Sequence, residues 1–236
     1  MNRKLVFWTA FNSYQTSKLL RNKPAGTIHP VQTPEWTKRR VELFVNYNLP
    51  SIMNQTHQDF LYIILLDPEL KHLTDAYLPK NLDSRIVYCY EDGPTLDMLK
   101  QYDEIVYALI DNDDMYSHAA GGIMMACPAE WMYFKHGYAL DIYRGKFRHY
   151  DTIGSGPFFA HRMNPKTMIR FDRDKRHPTH KAVIELKPRE LPPGQFCVLL
   201  HEKNTSSHSQ MRYVLGPVKN GKEILLRNFS FKRGAR

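Results

Sequence analysis

Cysteine is scarce in this chain. Its 236 residues hold three, Cys89, Cys127 and Cys197, far apart and odd in number. That pattern argues against a disulfide framework or a zinc site and fits reduced thiols in ordinary strands and helices. Long hydrophobic runs are missing as well: no stretch of about 18 apolar residues occurs, and the first apolar segment is broken at Asn12-Ser13. The sequence therefore predicts neither a membrane span nor a signal peptide, and a cytoplasmic protein. Internal repeats and low-complexity segments are absent, and no change in composition marks a boundary, so residues 1–236 are expected to form a single domain. Acidic residues are outnumbered, with 24 Asp and Glu against 33 Lys and Arg, a formal charge of +9 and a pI of 9.4. Such a balance predicts attraction to polyanions, whether nucleic acid, anionic lipid or nucleotide diphosphates, and serves equally as a solvated, solubilising surface.

What the chain does contain is the profile of a soluble globular protein, 42% apolar and 24% charged, with a strand and helix alternation through its first half. Leu5-Val6-Phe7-Trp8 opens as a buried strand. From Glu35 the apolar positions Trp36, Leu43, Phe44 and Tyr47 recur at helical intervals, with Thr33-Pro34 at the start and Leu49-Pro50 expected to break the pattern. Phe60 to Leu66 is a continuous apolar run suited to a strand covered on both faces. A helix near Glu69 to Leu78, a strand over Arg85 to Tyr90, a helix over Thr95 to Tyr102 and a strand over Ile105 to Ile110 complete the series. This order predicts a parallel sheet built from right-handed crossovers, with ligands outside the carboxyl ends of the strands. Asn12, Asp67, Asp92 and Asp111 all fall at such ends. Beyond residue 115 the pattern predicts a helix around Ser117 to Cys127, antiparallel strands over Trp131 to Ala139 and Tyr143 to Phe147, and a strand over Phe196 to Leu200 that ends at His201.

The chemistry concentrates in Ile110-Asp111-Asn112-Asp113-Asp114, three carboxylates in four residues directly after a buried strand. Neighbouring carboxylates resist joint ionisation unless a cation offsets them. Hard oxygen ligands suit Mg²⁺ or Mn²⁺, which can bridge protein carboxylates to phosphate oxygens. An acidic turn capping the next helix is the plainer alternative. Arg39, Arg40 and the basic stretch near Arg170 to Lys181 could neutralise a departing diphosphate, or simply face solvent. Gly154-Ser155-Gly156 lacks the spacing of a phosphate-binding loop or dinucleotide fingerprint and instead permits close backbone approach.

Four stretches together carry a family resemblance: Arg40 to Phe60 with Leu49-Pro50-Ser51-Ile52 and Asn54-Gln55-Thr56; Asp111-Asn112-Asp113-Asp114; Gly156-Pro157-Phe158-Phe159; and His201-Glu202-Lys203-Asn204-Thr205-Ser206. In order and spacing the chain resembles the putative rhamnosyl transferase family and related GT-A glycosyltransferases. The resemblance implies a GT-A-like (Rossmann-related) α/β fold with a mixed, mostly parallel central sheet flanked by helices. It also implies a nucleotide-sugar donor with Mn²⁺ or Mg²⁺ as cofactor, and a hydroxyl acceptor, by default a glycan. Asp111 and Asp113 would then be the metal and ribose-diphosphate residues, Asp114 a further ligand or loop organiser, and His201 a metal or diphosphate ligand. Asn12, Asp67 and Asp92 would line the nucleotide pocket, with Asn204 and Ser206 as phosphate contacts; capping or loop roles are the alternative for each.

One departure concerns the base. Where the family often has an acidic residue at the start of a helix, this sequence has His177-Pro178-Thr179-His180. For an inverting reaction His180 or Asp151 could deprotonate the acceptor hydroxyl, while His177 and His180 as helix caps are the competing reading. Three further functions compete. Transfer of sugar to hydroxymethylated bases in DNA would use the basic tail Lys232-Arg233-Gly234-Ala235-Arg236 for phosphate attraction. A non-catalytic nucleic-acid-binding protein would make the acidic cluster structural. A nucleotidyltransferase would use the carboxylates but lacks an accompanying phosphate-loop signature.

Overall fold

The computed structural model describes residues 1–12, 33–80, 82–90, 97–152, 158–166, 185–201 and 213–232. Four strands, β1 (Arg3–Asn12), β2 (Phe60–Leu66), β3 (Ile86–Cys89) and β4 (Glu104–Leu109), run parallel, with Leu5 of β1 level with Phe60 on one side and Val106 on the other. Strands of this kind read as unbroken apolar runs because both faces are covered. In β1 the alternation divides the side chains: Leu5 and Phe7 join one core, Val6 and Trp8 the other.

Past β4 the sheet changes direction. β9 (Phe159–Met163) lies antiparallel to β4, β6 (Trp131–Tyr133) antiparallel to β9, and β10 (Arg189–Glu190) parallel to β6. The resulting order, β10-β6-β9-β4-β1-β2-β3, is a mixed, mostly parallel sheet, as expected. A second sheet, ordered β12-β8-β7-β11-β5, contains β5 (Met115–Tyr116), β7 (His136–Asp141), β8 (Lys146–Asp151), β11 (Phe196–Leu200) and β12 (Val214–Pro217). The expected strand over Trp131 to Ala139 is thus two strands in different sheets. Tyr143, expected in a strand, occupies the turn between β7 and β8, where Gly145 has φ +62.

The segment after Thr33 also departs from expectation. Thr33 caps helix α1 (Pro34–Leu43), its hydroxyl accepting from the Trp36 amide at 3.3 Å. Leu49-Pro50 does not end the helical path. A π-helical turn over Phe44–Asn48 leads directly into α2 (Leu49–Met53). Pro50 sits in the first turn of α2, where its missing amide costs little. Further on, a 3₁₀ turn (Pro68–Leu70) runs into α3 (Lys71–Tyr77), residues 97–99 are helical within the stretch expected over Thr95 to Tyr102, and α4 (Ala120–Ala126) and α5 (Gly221–Asn228) follow.

Gln55, within the motif Asn54-Gln55-Thr56, is buried and bridges these parts. Its amide donates to the Ser51 and Ser117 carbonyls at 2.8 and 2.7 Å, and its oxygen accepts from the Gly121 amide at 2.8 Å. A Cβ at Gly121 would stand 2.8 Å from Leu5 Cδ2, so glycine there lets α4 close on β1. The core between the sheets is aromatic, Phe158 stacking on Phe196 at 4.0 Å and meeting Tyr116 edge-on at 5.7 Å. Among the described residues no helix is long and apolar enough to cross a membrane.

Candidate active site

Three of the expected strand-end residues stand at the carboxyl rim of the parallel sheet. Asn12 closes β1 and is buried; its Oδ1 accepts from the Asp67 amide, just past β2, at 3.0 Å. Asp67 turns its own carboxylate to the Glu69 amide at 2.9 Å and caps the 3₁₀ turn. It combines the rim position with the capping role given as its alternative. Among the described residues, the buried Asn12 Nδ2 has no hydrogen-bond partner.

Next along the rim, the loop after β4 carries the acidic cluster. Carboxylate oxygens of Asp111, Asp113 and Asp114 lie within 4.8 Å of one another. Asp111 is exposed; Asp113 and Asp114 are 7% and 4% exposed. Asp113 Oδ2 is held from two sides, by Arg40 Nη1 at 2.5 Å and His201 Nε2 at 2.7 Å. Arg40 comes from the last turn of α1 and stands over the Trp36 ring at 5.6 Å, with its Nε buried and without a partner among the described residues. His201 directly follows β11, and its side chain is fully buried. Asp114 Oδ1 accepts from the Leu199 amide at 3.0 Å. Since the β11 ladder to β5 reaches only Phe196 and Cys197, this carboxylate continues it.

Protonation follows from these contacts. For Asp111, desolvation by surrounding protein and then repulsion from Asp113 push the carboxyl up to about 7. Its surface remains open, so crowding beneath the exposed group is what dries its environment. Desolvation also opposes ionisation of Asp113, but the Arg40 charge and the His201 hydrogen bond outweigh it and hold that carboxyl at about 2. Burial, followed by repulsion from Asp113 and Asp111, raises Asp114 well above the carboxylate range. The cluster is therefore one firmly ionised carboxylate, one poised near neutrality and one disfavouring charge.

Two asparagines not singled out in the sequence shape this loop. Asn48, at the end of the π-helical turn, donates through Nδ2 to the carbonyls of Asp111 and Asp114, each at 2.9 Å, and its Oδ1 accepts from the Tyr62 hydroxyl. Asn112 donates to the carbonyls of Ala10 and Phe11 at 2.7 and 3.1 Å, tying the loop to β1. The available signal for Asn48 was its spacing, four residues after Phe44 and so on the same helical side as an apolar position.

The other candidates are dispersed. Asp92, His180, Asn204 and Ser206 lie outside the described residues, as do Gly154-Ser155-Gly156, His177 and Arg233 to Arg236. Asp151 ends β8 and pairs with His136 at the start of β7, whereas Leu200, beside His201, pairs with Asp141 at its end. Five strand steps, about 17 Å, separate those two pairings, so Asp151 is not part of the carboxylate cluster. Arg39 pairs with Glu42 at 3.0 Å and donates to the Tyr143 hydroxyl at 3.0 Å, away from Asp113.

Comparison with known proteins places this geometry in context. Residues 20–102 match the family described as putative rhamnosyl transferases. The match covers α1 through β3 and stops short of the acidic loop. No curated protein matches the sequence. Among solved structures, S. aureus TarS 1-349 in complex with UDP is 11% identical with a TM-score of 0.40, covering 84% of this chain and 60% of TarS. The TarS complex with UDP-GlcNAc gives the same identity and TM-score over 94% and 64%. The glycosyltransferase GlyE of Streptococcus pneumoniae TIGR4 is 10% identical at a TM-score of 0.32, covering 90% and 50%. The chain spans about 60% of the TarS chain it matches.

Proposed function

We propose that this chain is a metal-dependent glycosyltransferase that moves a sugar from a nucleotide-sugar donor to a hydroxyl acceptor, by family resemblance a glycan. The observation that carries the reading is the convergence of three carboxylates within 4.8 Å at the carboxyl end of β4, in an open sheet whose neighbouring strand ends hold Asn12 and Asp67. Ligands of such sheets bind at that rim.

The residues fit a divalent cation. The donor set is entirely hard oxygen, which suits Mg²⁺ or Mn²⁺. Asp111, exposed and poised, and Asp113 are the proposed ligands; Asp114, engaged by the Leu199 amide, organises the loop. Once bound, the ion supplies Lewis-acid stabilisation of charge on the donor diphosphate. Around it the chain contributes positioning: Asn48 and Asn112 fix the loop backbone, and His201 and Arg40 aim Asp113. Two buried donors without partners among the described residues, Arg40 Nε and Asn12 Nδ2, are the proposed contacts for anionic donor oxygens, since unpaired buried donors are costly unless a ligand satisfies them. His201 is accordingly read as an orienting partner of Asp113 as well as a potential ligand. Asp92, Asn204 and Ser206 remain proposed donor contacts, and His180 and Asp151 proposed bases.

Thermal shift against a panel of nucleotide sugars, with and without Mn²⁺, tests the reading without a known acceptor. One nucleotide sugar is expected to raise the melting temperature only with the ion present. Absence of any shift with the panel, alongside a large shift with duplex DNA, would overturn it in favour of nucleic-acid binding.

A further inference from the structure

The outer edge of the main sheet carries a second constellation that the acidic loop does not use. A groove of about 510 Å³ runs along β6 and the segment leading into β10, lined by Glu130 and Trp131 and, from the neighbouring β10 segment, by Lys187, Arg189 and Glu190. That volume lies in the range of small-molecule sites. Trp8 and Trp36 are core residues at 5% and 9% exposure, whereas Trp131 is only half-buried and lines this space. The imidazole of His161 covers one side of the indole, stacked at 3.7 Å and 10°, and fixes its plane. His161 is itself held by Glu130, with Nε2 3.4 Å from Oε1. Lys187 stands in the groove wall at φ +50, a left-handed conformation that costs a side-chain-bearing residue about 1 kcal/mol or more.

The upper end of the groove reaches the rim. β6 runs in the same direction as β4, two strands away, so Tyr133 stands about 10 Å across the sheet from the end of β4. There the Tyr133 hydroxyl donates to Glu190 Oε2 at 3.2 Å, Glu190 Oε1 faces His136 Nε2 at 3.6 Å, and His136 Nδ1 is 2.6 Å from Asp151 Oδ1. A flat aromatic surface bordered by hydrogen-bonding groups of both signs matches a sugar, with its apolar C–H faces and hydroxyls that both donate and accept. The lining charges balance, Glu130 and Glu190 against Lys187 and Arg189, which disfavours a polyanion in this groove despite the basic chain.

We propose that this groove is a saccharide subsite for the acceptor, with Trp131 as stacking platform and Glu190, His136 and Asp151 as the polar end nearest the rim. The assignment rests on the glycosyl-transfer reading, and it gives Asp151 a place on the acceptor side of the molecule.

A glycan array probed with the full chain tests it, using wild type, Trp131→Phe, Trp131→Ala and Arg189→Ala, with the nucleotide-sugar thermal shift measured on each. Wild type is expected to retain a set of oligosaccharides, Trp131→Ala to weaken their binding about tenfold or more, and Trp131→Phe to keep most of it. Arg189→Ala, at the exposed β10 edge of the lining and clear of the indole's contact with His161, is expected to weaken binding severalfold. The donor shift should be unchanged in all four proteins. Equal glycan binding by wild type, Trp131→Ala and Arg189→Ala refutes the groove, as does a wild type that shows the donor shift yet retains no glycan. Trp131-dependent glycan binding with no donor shift preserves the saccharide subsite and refutes the transferase reading beneath it.

Discussion

Replacing Arg40 by alanine removes the cation nearest the acidic loop while leaving all three carboxylates in place. In the wild-type structure the Arg40 and Asp113 side chains are 12% and 10% exposed and 2.5 Å apart, so solvent screens the pair weakly. Breaking a buried pair from one side leaves a charge without its partner and costs about 3–5 kcal/mol. The His201 contact to Asp113 survives and holds the cost toward the lower figure. For a chain of this length each kcal/mol lowers the melting temperature by about 2–4 °C, so a fall of about 6–12 °C is expected in EDTA. Adding Mn²⁺ should recover a large part of it, because an ion that binds the native state at about 100 times its dissociation constant adds about 2.7 kcal/mol. Scanning calorimetry of wild type, Arg40→Ala and Arg40→Lys, each in EDTA and in Mn²⁺, gives the comparison. Arg40→Lys should fall between the other two, keeping charge but losing the planar fork. An Arg40→Ala protein that melts with the wild type in EDTA, or whose loss Mn²⁺ does not reduce, would refute the claim that arginine and cation serve the same carboxylate.

Asp111→Asn should fold normally and melt at or above the wild type, since it removes a carboxylate held near 7 by desolvation and repulsion, yet calorimetric titration should show Mn²⁺ affinity reduced at least tenfold. Asn48→Ala removes the side-chain donor to the Asp114 carbonyl and the acceptor of the Tyr62 hydroxyl, and leaves the Asp111 carbonyl with the Asp114 amide alone; a stability loss of about 1–3 kcal/mol and a weaker Mn²⁺ titration are expected, and unchanged metal affinity would reduce Asn48 to a packing role. Gly137→Ala would place a Cβ 2.5 Å from the Phe196 ring, so denaturant unfolding should show a loss of about 1–3 kcal/mol, relieved in part by Phe196→Leu.

The parallel half of the fold was legible because its strands are continuous apolar runs closed by polar residues, as at Leu66 and Asp67. The carboxylate cluster was legible because three acids in four residues announce themselves. What spacing could not convey were distances between remote segments. Nothing near Arg40 or His201 indicates that both meet one oxygen of Asp113, a contact fixed by how α1 and β11 pack. Trp131 looked like part of one long antiparallel strand because short strands on either side of a bend share the same aromatic composition, and only pairing with β9 assigns β6 to the main sheet. Pro50 misled for a local reason: proline ends a helix in its interior and is tolerated in a first turn, and the sequence does not mark where the register restarts.

That restart has a consequence for how this chain can vary. In the π-helical turn the Leu49 amide reaches back five residues to the Phe44 carbonyl, so the turn holds one residue more than α-helical bonding would. Removing a single residue between 44 and 48 would let the path close into continuous α-helix, locally a more regular structure, with the segments on either side held close to their present orientation because the widened turn absorbs the residue that is lost. What such a deletion removes is the widened turn itself, which ends at Asn48 and carries its amide to the acidic loop. Chains that share this site should therefore keep the length of the segment from Phe44 to Asn48, and a one-residue gap there should coincide with loss of the asparagine contact to the acidic loop.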